Sequence, residues 1–354
     1  MIRTDARANA NAGQHFRNHT NHTMTSSTLP ATLSTICRAL CTAWMLTAAS
    51  AVYAQPYPAK PIKVYVGYAA GGAVDLIARA VGQKMAAGLG QPLVIENKPG
   101  AGSNIAIKAA IDSAPDGYTL LLAANALAAN MALYQPQPFD AERDLAAISL
   151  VGRVPVVIAA AASNGSMASI KALIDLAKSK PATVTFASPG NGSTPHLAVE
   201  LFARAAGVVL THVPYKGGAP AITDVIGGQV ALVAVNALEV QPHVKSGRLK
   251  VLAVMSPARS PALPDVPTIA ESGFAGFEAS VWYGFVAPAA TAKPIIERLH
   301  AEVQKALLTP EVRERMAAVG GETIPGSIAD FAALIRADRV RYDKLVREAN
   351  IKPD

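Results

Sequence analysis

The stretch IKVYVGYAAGGAVD, residues Ile62–Asp75, sets the pattern of the fold: an apolar run, a glycine-rich turn and the start of a helix. The run Ile62–Tyr68 predicts a buried strand. The apolar residues after the turn recur at helical spacing and predict a helix; they are Val74, Ile77, Val81 and Met85. A strand that runs through glycines into a helix is typical of the first half of a βαβ unit.

Strand-like and helix-like segments alternate along the rest of the chain. The predicted strands are 93–95, 119–123, 184–187, 210–213, 230–235 and 249–255. The predicted helices are 104–111, 170–178, 195–206 and 220–226, and the C-terminal region is mainly helical. Thr309 before Pro310, and Ser327 three residues before Asp330, are helix-start signals. This order predicts an α/β protein, a mostly parallel sheet with helices on both faces.

Two extended apolar segments, Ile148–Ala160 and Ser280–Val286, have the character of crossings between two lobes. If the chain crosses twice, residues 55–155 and 281–354 form a discontinuous first lobe. Residues 156–280 then form the second lobe. Two lobes joined by a hinge make a clamshell that binds its ligand in the cleft.

Residues 1–54 have the layout of an export signal. The basic Arg38 precedes a short apolar run that ends at Val52-Tyr53-Ala54, which predicts a secretory signal peptide cleaved after Ala54 and a periplasmic protein. A membrane anchor or a buried helix is the alternative, and translation could begin at Met24, which would make the first residues an annotation artefact. Both cysteines, Cys37 and Cys41, lie in this segment, so the remaining chain has no thiol chemistry.

Composition excludes several classes of function. The chain has 354 residues, is 51% apolar and carries a net charge of +7, without a cluster of Lys and Arg interleaved with aromatic residues. We therefore expect no nucleic-acid partner. The histidines after residue 55 are His196, His212, His243 and His300, and they show no metal-binding spacing. We expect no metal and no cofactor.

Two glycine-rich loops join strands to helices. Tyr68–Asp75 contains Gly71 and Gly72, which would let the backbone approach an anion at the start of a helix. Ser188–His196 places short polar side chains beside two glycines, with Thr194-Pro195 as a helix start. The alternatives are a plain tight turn for the first loop and a capped helix for the second. His196 is open as a catalytic base or as a local packing residue.

An ordered set of short motifs resembles the Bug, or TctC-like, family of extracytoplasmic solute receptors of tripartite tricarboxylate transporters. The motifs run from the mature start to the last third of the chain: Tyr57–Ile62, Gly71-Gly72-x-x-Asp75, Glu96–Gly102, Pro115–Thr119, Ser188–His196, His212–Gly217, Leu263–Thr268 and Trp282–Gly284. Each motif is weak by itself, whereas the set in this order is specific.

The resemblance implies a type II periplasmic binding protein fold, no enzymatic activity and a carboxylate held by loops of both lobes. The ligand-binding residues that it implies are Tyr68, Ala70, Gly71, Gly72, Asp75, Ser188, Gly190, Asn191, Gly192, Ser193, His196, Tyr215 and Asn236. Lys216, like Tyr215, would shape the cleft. The implied partners are a small organic carboxylate and membrane permease subunits, and we expect a monomer.

One position departs from the family pattern. Many relatives carry an acidic residue before an asparagine, where this chain has Val235-Asn236. Valine cannot hold an ammonium group, so we predict a ligand without an essential amino group.

Two other functions stay open: a ligand-dependent periplasmic sensor that docks on a signalling partner, and an exported hydrolase that uses Ser193 and His196. The absence of a G-x-S-x-G elbow argues against the hydrolase.

Overall fold

The computed structural model describes residues 57–318, 320–349 and 351–352. The predicted signal peptide, residues 1–54, lies outside the described residues. The strands are β1 Ile62–Val66, β2 Leu93–Asn97, β3 Thr119–Ala124, β4 Leu145–Ala161, β5 Thr185–Ser188, β6 Thr211–Pro214, β7 Leu232–Asn236, β8 Leu249–Val254, β9 Ser280–Pro288 and β10 Glu322–Thr323. Each predicted strand is present, with ends that differ by one or two residues.

Helices connect most of these strands. They are α1 Ala73–Leu89, α2 Asn104–Ile111, α3 Ala126–Leu133, α4 Ala141–Asp144, α5 Ile170–Ser179, α6 Thr194–Ala206, α7 Gly218–Ile226, α8 Ala237–Lys245, α9 Lys293–Leu307, α10 Pro310–Ala317 and α11 Ile328–Ala349. A 3₁₀ turn, Ala101–Ser103, precedes α2. No helix within the described residues is long and apolar enough to cross a membrane.

The strands form one sheet in the order β2-β1-β3-β9-β4-β7-β5-β6, and β8 and β10 also pair with β4. Pairing is parallel on the two outer sides, where β1 lies between β2 and β3 and β5 lies between β6 and β7. The central strands β4 and β9 pair antiparallel with each other and with their neighbours. The predicted α/β fold is confirmed, and its parallel part lies in the βαβ units that the sequence pattern identified.

The two predicted crossing segments are the long strands β4 and β9. The first half of β4 pairs with β9, and its second half pairs with β7 and β8. From Val154 to Ala161 every residue of β4 is buried, so this half reads as a continuous apolar run. The division into lobes at residues 155 and 280 stays a prediction.

Local chemistry explains the helix that follows β1. The four apolar residues predicted to share one face of α1 are all buried, from Val74 at 6% exposure to Met85 at 0%. The helix ends at Gly90, whose left-handed backbone closes the last turn. The sequence pattern missed α3 because that helix is apolar on nearly every side and has no amphipathic period. It also missed α8, which contains Pro242.

Candidate functional site

A cavity lies where several strand-to-helix loops meet. Its walls are the starts of helices and the ends of strands. The lining residues are Tyr68, Gly72, Ala73, Val74, Ala124, Ala126, Pro189, Ser193, Thr194, Pro195, Gly218, Asn236, Glu239 and Val281.

Five helix N-termini reach this cavity. The residues that bring them there are Ala73 of α1, Ala126 of α3, Thr194 of α6, Gly218 of α7 and Asn236 before α8. Each N-terminus carries a partial positive charge and backbone N–H groups without a partner in the preceding turn. None of the lining residues is Lys or Arg. The site can therefore hold an anion by backbone dipoles, without a basic side chain.

The first glycine loop is held in shape by Asp75, which is 2% exposed. Its carboxylate accepts the Gly71 N–H at 3.0 Å, two hydrogen bonds from Arg79 at 2.8 and 2.9 Å, and one from Asn97 at 3.1 Å. Burial raises the pKa of the Asp75 carboxyl, but these hydrogen bonds and the Arg79 charge outweigh it and leave the pKa below its ordinary value. Asp75 thus stabilises the conformation of the loop without lining the cavity.

The second glycine loop is held by its own short side chains. Ser193 is the N-cap of α6, and its hydroxyl accepts the His196 N–H at 3.4 Å. The Gly192 N–H donates to Nδ1 of His196 at 3.3 Å, so this nitrogen is unprotonated. The Gly190 N–H donates to the Ser188 hydroxyl at 3.1 Å. These contacts make the loop a rigid wall of the cavity.

Two histidines stack behind this loop. The rings of His196 and His212 lie 4.0 Å apart, and Phe186 stacks on His212. Nε2 of His212 lies 2.7 Å from the Ser188 hydroxyl. Burial lowers the pKa of His212 to about 4, so its ring is neutral at pH 7. The geometry of His196 fits a packing and hydrogen-bonding role at the start of α6.

A second cavity shares the lining residue Pro189 with the first. Its remaining lining residues are Gly67, Gly100, Ala101, Gly102, Ser103, Tyr134, Gly190, Asn191, Pro214, Tyr215 and Lys216. The Tyr215 hydroxyl donates to Asp224 at 2.6 Å, and burial followed by this contact raises the Tyr215 pKa to about 12.

The predicted site residues fall into three groups. Those that line the first cavity are Tyr68, Gly72, Ser193 and Asn236. Those that line the second cavity are Gly190, Asn191 and Tyr215. Those that support the walls without lining either cavity are Ala70, Gly71, Asp75, Ser188, Gly192 and His196.

Sequence reasoning missed Glu239, an acid in the lining that is only 6% exposed. The spacing Asn236-x-x-Glu239 is a capping box, in which the Glu239 carboxylate accepts the Asn236 N–H at 3.1 Å. That signal was visible in the sequence.

Val235 is fully buried and absent from the lining, so the residue type at this position does not bear on an amino group of the ligand. The prediction of a ligand without such a group loses its basis.

The fold and the cavity at the helix starts agree with the expectation of a solute-binding receptor, and comparison with known proteins defines the class. Residues 77–351 match the model of the tripartite tricarboxylate transporter family receptor, TctC. The chain belongs to this family. The curated protein BugT of Bordetella pertussis is 38% identical over 308 residues, which cover 86% of this chain and 94% of BugT.

Solved structures agree with this assignment. The periplasmic binding protein BugD superposes with a TM-score of 0.81 at 33% identity, covering 84% of this chain and all of BugD. MatC from Rhodopseudomonas palustris, solved with bound malate, gives a TM-score of 0.78 at 30% identity, covering 82% of this chain and all of MatC. These relatives are binding proteins rather than enzymes, and the same class applies to this chain.

Proposed function

We propose that this protein is a periplasmic receptor that captures a small organic carboxylate in the first cavity and delivers it to the permease of a tripartite tricarboxylate transporter. The observation that carries the proposal is the convergence of five helix N-termini on a cavity that no basic side chain lines. A carboxylate matches that arrangement in charge. MatC, a relative of similar fold, was solved with malate, a small dicarboxylate.

The second cavity supports a ligand that extends beyond the gripped carboxylate. Its lining offers a tyrosine hydroxyl at Tyr134, the amide of Asn191 and the side chain of Lys216. We expect the two predicted lobes, residues 55–155 with 281–354 and residues 156–280, to close on such a ligand at the crossings in β4 and β9. The predicted signal peptide would place the receptor in the periplasm.

A thermal-shift screen of the purified protein tests this function. The panel contains mono-, di- and tricarboxylates and aromatic acids, with uncharged amides of the same carbon skeletons as controls. Acids that bind the native state raise the melting temperature by mass action, by an amount that grows with ligand concentration. We expect shifts for acids and none for the matched amides. Equal shifts for both, or none for any acid, would refute the carboxylate receptor.

Delivery to a permease needs its own experiment. Pull-down of solubilised membrane proteins with the tagged receptor, with and without the best acid of the panel, identifies its partner. Recovery of transporter subunits in a ligand-dependent manner is the expected result. Recovery of a signalling protein instead would assign the sensor function.

A further inference from the structure

We propose that Glu239 faces the bound carboxylate as a protonated acid, so that the site takes up its anion together with one proton. This inference rests on the proposed function, because it concerns the same cavity. It assigns a specificity-determining role to a residue that the anion site alone does not require.

Glu239 sits among helix N-termini rather than among cations. Its Oε2 accepts two hydrogen bonds from Asn236, from the backbone N–H at 3.1 Å and from Nδ2 at 3.2 Å. The backbone N–H of Ala73, at the start of α1, lowers the pKa of the same carboxyl group, against the effect of burial. Among the described residues, no Lys, Arg or His forms an ion pair with Glu239. The carboxyl group thus has donors around it but no countercharge.

The packing around Glu239 leaves little room for it to move. A Cβ added to Gly218 would lie 2.0 Å from Oε1, and one added to Gly72 would lie 3.3 Å from the same oxygen. Both glycines belong to the cavity lining. The carboxyl group therefore fills the gap between the starts of α1 and α7, at the wall of the space that a ligand carboxylate would enter.

The groups that interact electrostatically with Glu239 carry no charge of their own at neutral pH. They are the hydroxyls of Tyr68 at the end of β1 and of Tyr283 in β9; burial, together with the Glu239 charge, raises the pKa of both. At the starts of α1 and α7, the glycines Gly72 and Gly218 lie against the carboxyl group. Burial also raises the pKa of Glu239, although its hydrogen bonds with Asn236 and Ala73 oppose the shift.

Bringing a second carboxylate next to Glu239 favours its protonated form further. Two carboxyl groups that share a site cannot both stay ionised without a large electrostatic cost, and the usual solution is one proton between them. Oε2 already accepts two hydrogen bonds, so the proton would lie on Oε1 and donate to the ligand oxygen. Binding of an anion at this place is then linked to uptake of a proton.

The test measures ligand affinity against pH. Malate and adipate are the probes, titrated by calorimetry from about pH 6, where both are largely ionised, to pH 10. We expect wild-type affinity to fall by up to tenfold per pH unit once the pH exceeds the pKa of Glu239 in the free protein. Glu239→Gln retains a hydrogen-bond donor without a titrating proton, so its affinity should stay constant over the same range.

Glu302 provides a matched control for the Glu-to-Gln exchange. It is 2% exposed, but Arg298 and Lys305 lie 3.3 and 2.9 Å from its Oε1, and it is absent from the lining of both cavities. Glu302→Gln should therefore keep the wild-type pH profile. A pH profile that Glu239→Gln shares with the wild type would overturn the proposal.

A measurement without ligand separates this inference from the proposed function. Because burial raises the pKa of folded Glu239, the wild type should lose stability relative to Glu239→Gln as the pH rises from 5 towards that pKa. The melting temperature of the wild type minus that of Glu239→Gln should therefore decrease over this range, and a constant difference would contradict the protonated acid. If neither malate nor adipate binds, the proposed capture of these acids is refuted. The difference in melting temperature still tests whether Glu239 is protonated.

Discussion

Replacement of Gly192 by alanine should destabilise the protein far more than the same change at Gly71, although each glycine lies in one of the two loops. Both residues have left-handed backbone angles, with φ of +74° and +80°. That conformation costs a residue with a Cβ about 1–2 kcal/mol. Up to this point the two positions are equivalent.

Their surroundings differ. A Cβ on Gly192 would lie 2.2 Å from Oδ1 of Asn130 and 2.9 Å from Cδ2 of Leu133, both in α3, whereas a Cβ on Gly71 would meet only Ala219, at 3.9 Å. Asn130 cannot simply rotate away, because its amide donates to the Gly102 carbonyl at 2.8 Å and to Asn104 at 2.7 Å. Overpacking of this kind costs about 1–3 kcal/mol.

The expected loss in free energy of unfolding is therefore about 2–5 kcal/mol for Gly192→Ala and about 1–2 kcal/mol for Gly71→Ala. Urea denaturation followed by far-ultraviolet circular dichroism measures both losses. Carboxylate affinity should fall in both variants, but only Gly192→Ala should combine this with a markedly lower denaturation midpoint. Equal losses of stability, or a larger loss at Gly71, would refute the reasoning from the added Cβ.

Two further predictions concern the cavity wall and the histidine pair. Gly218→Ala should cost about 1–3 kcal/mol in the wild type because its Cβ meets Oε1 of Glu239 at 2.0 Å, and much less in a Glu239→Ala background. A double-mutant cycle by urea denaturation measures this coupling, and additive losses would contradict the contact. His212 has its pKa lowered by burial to about 4, so the unfolded chain binds a proton that the folded chain does not. Wild-type stability should fall by up to about 3 kcal/mol as the pH drops from about 6.5 to 4, and this decline should be absent in His212→Phe.

The sequence predicted most elements of the fold because their signals are local. Within Ile62–Asp75, an apolar run, a glycine-rich turn and the start of a helical repeat of apolar residues are enough to predict β1, the loop and α1. The cavity, in contrast, depends on which strands lie side by side. The antiparallel pairing of β4 and β9 brings the ends of β3 and β7 to one place, and no local pattern specifies that order.

Glu239 illustrates the same limit for the site. Its capping box with Asn236 was visible in the sequence, but the pattern alone could not place the carboxyl group against Gly218 and Ala73. Those contacts come from two other helices, α1 and α7. The prediction drawn from Val235 met a related limit. Side chains alternate along a strand, and of the residues of β7 only Asn236 lines the cavity.

The proposed anion site, built from five helix starts, would have a consequence for how this receptor can change during evolution. Main-chain N–H groups survive almost every amino-acid exchange, so the charge recognition is insulated from point mutation. Alanine scanning would assign little of the binding free energy of the carboxylate to any single side chain. Residues outside the proposed anion site, such as Tyr134, Asn191 and Lys216 in the second cavity, could then change without loss of the main-chain donors. New ligand preferences can thus arise from a few exchanges while the affinity for a carboxylate is inherited unchanged.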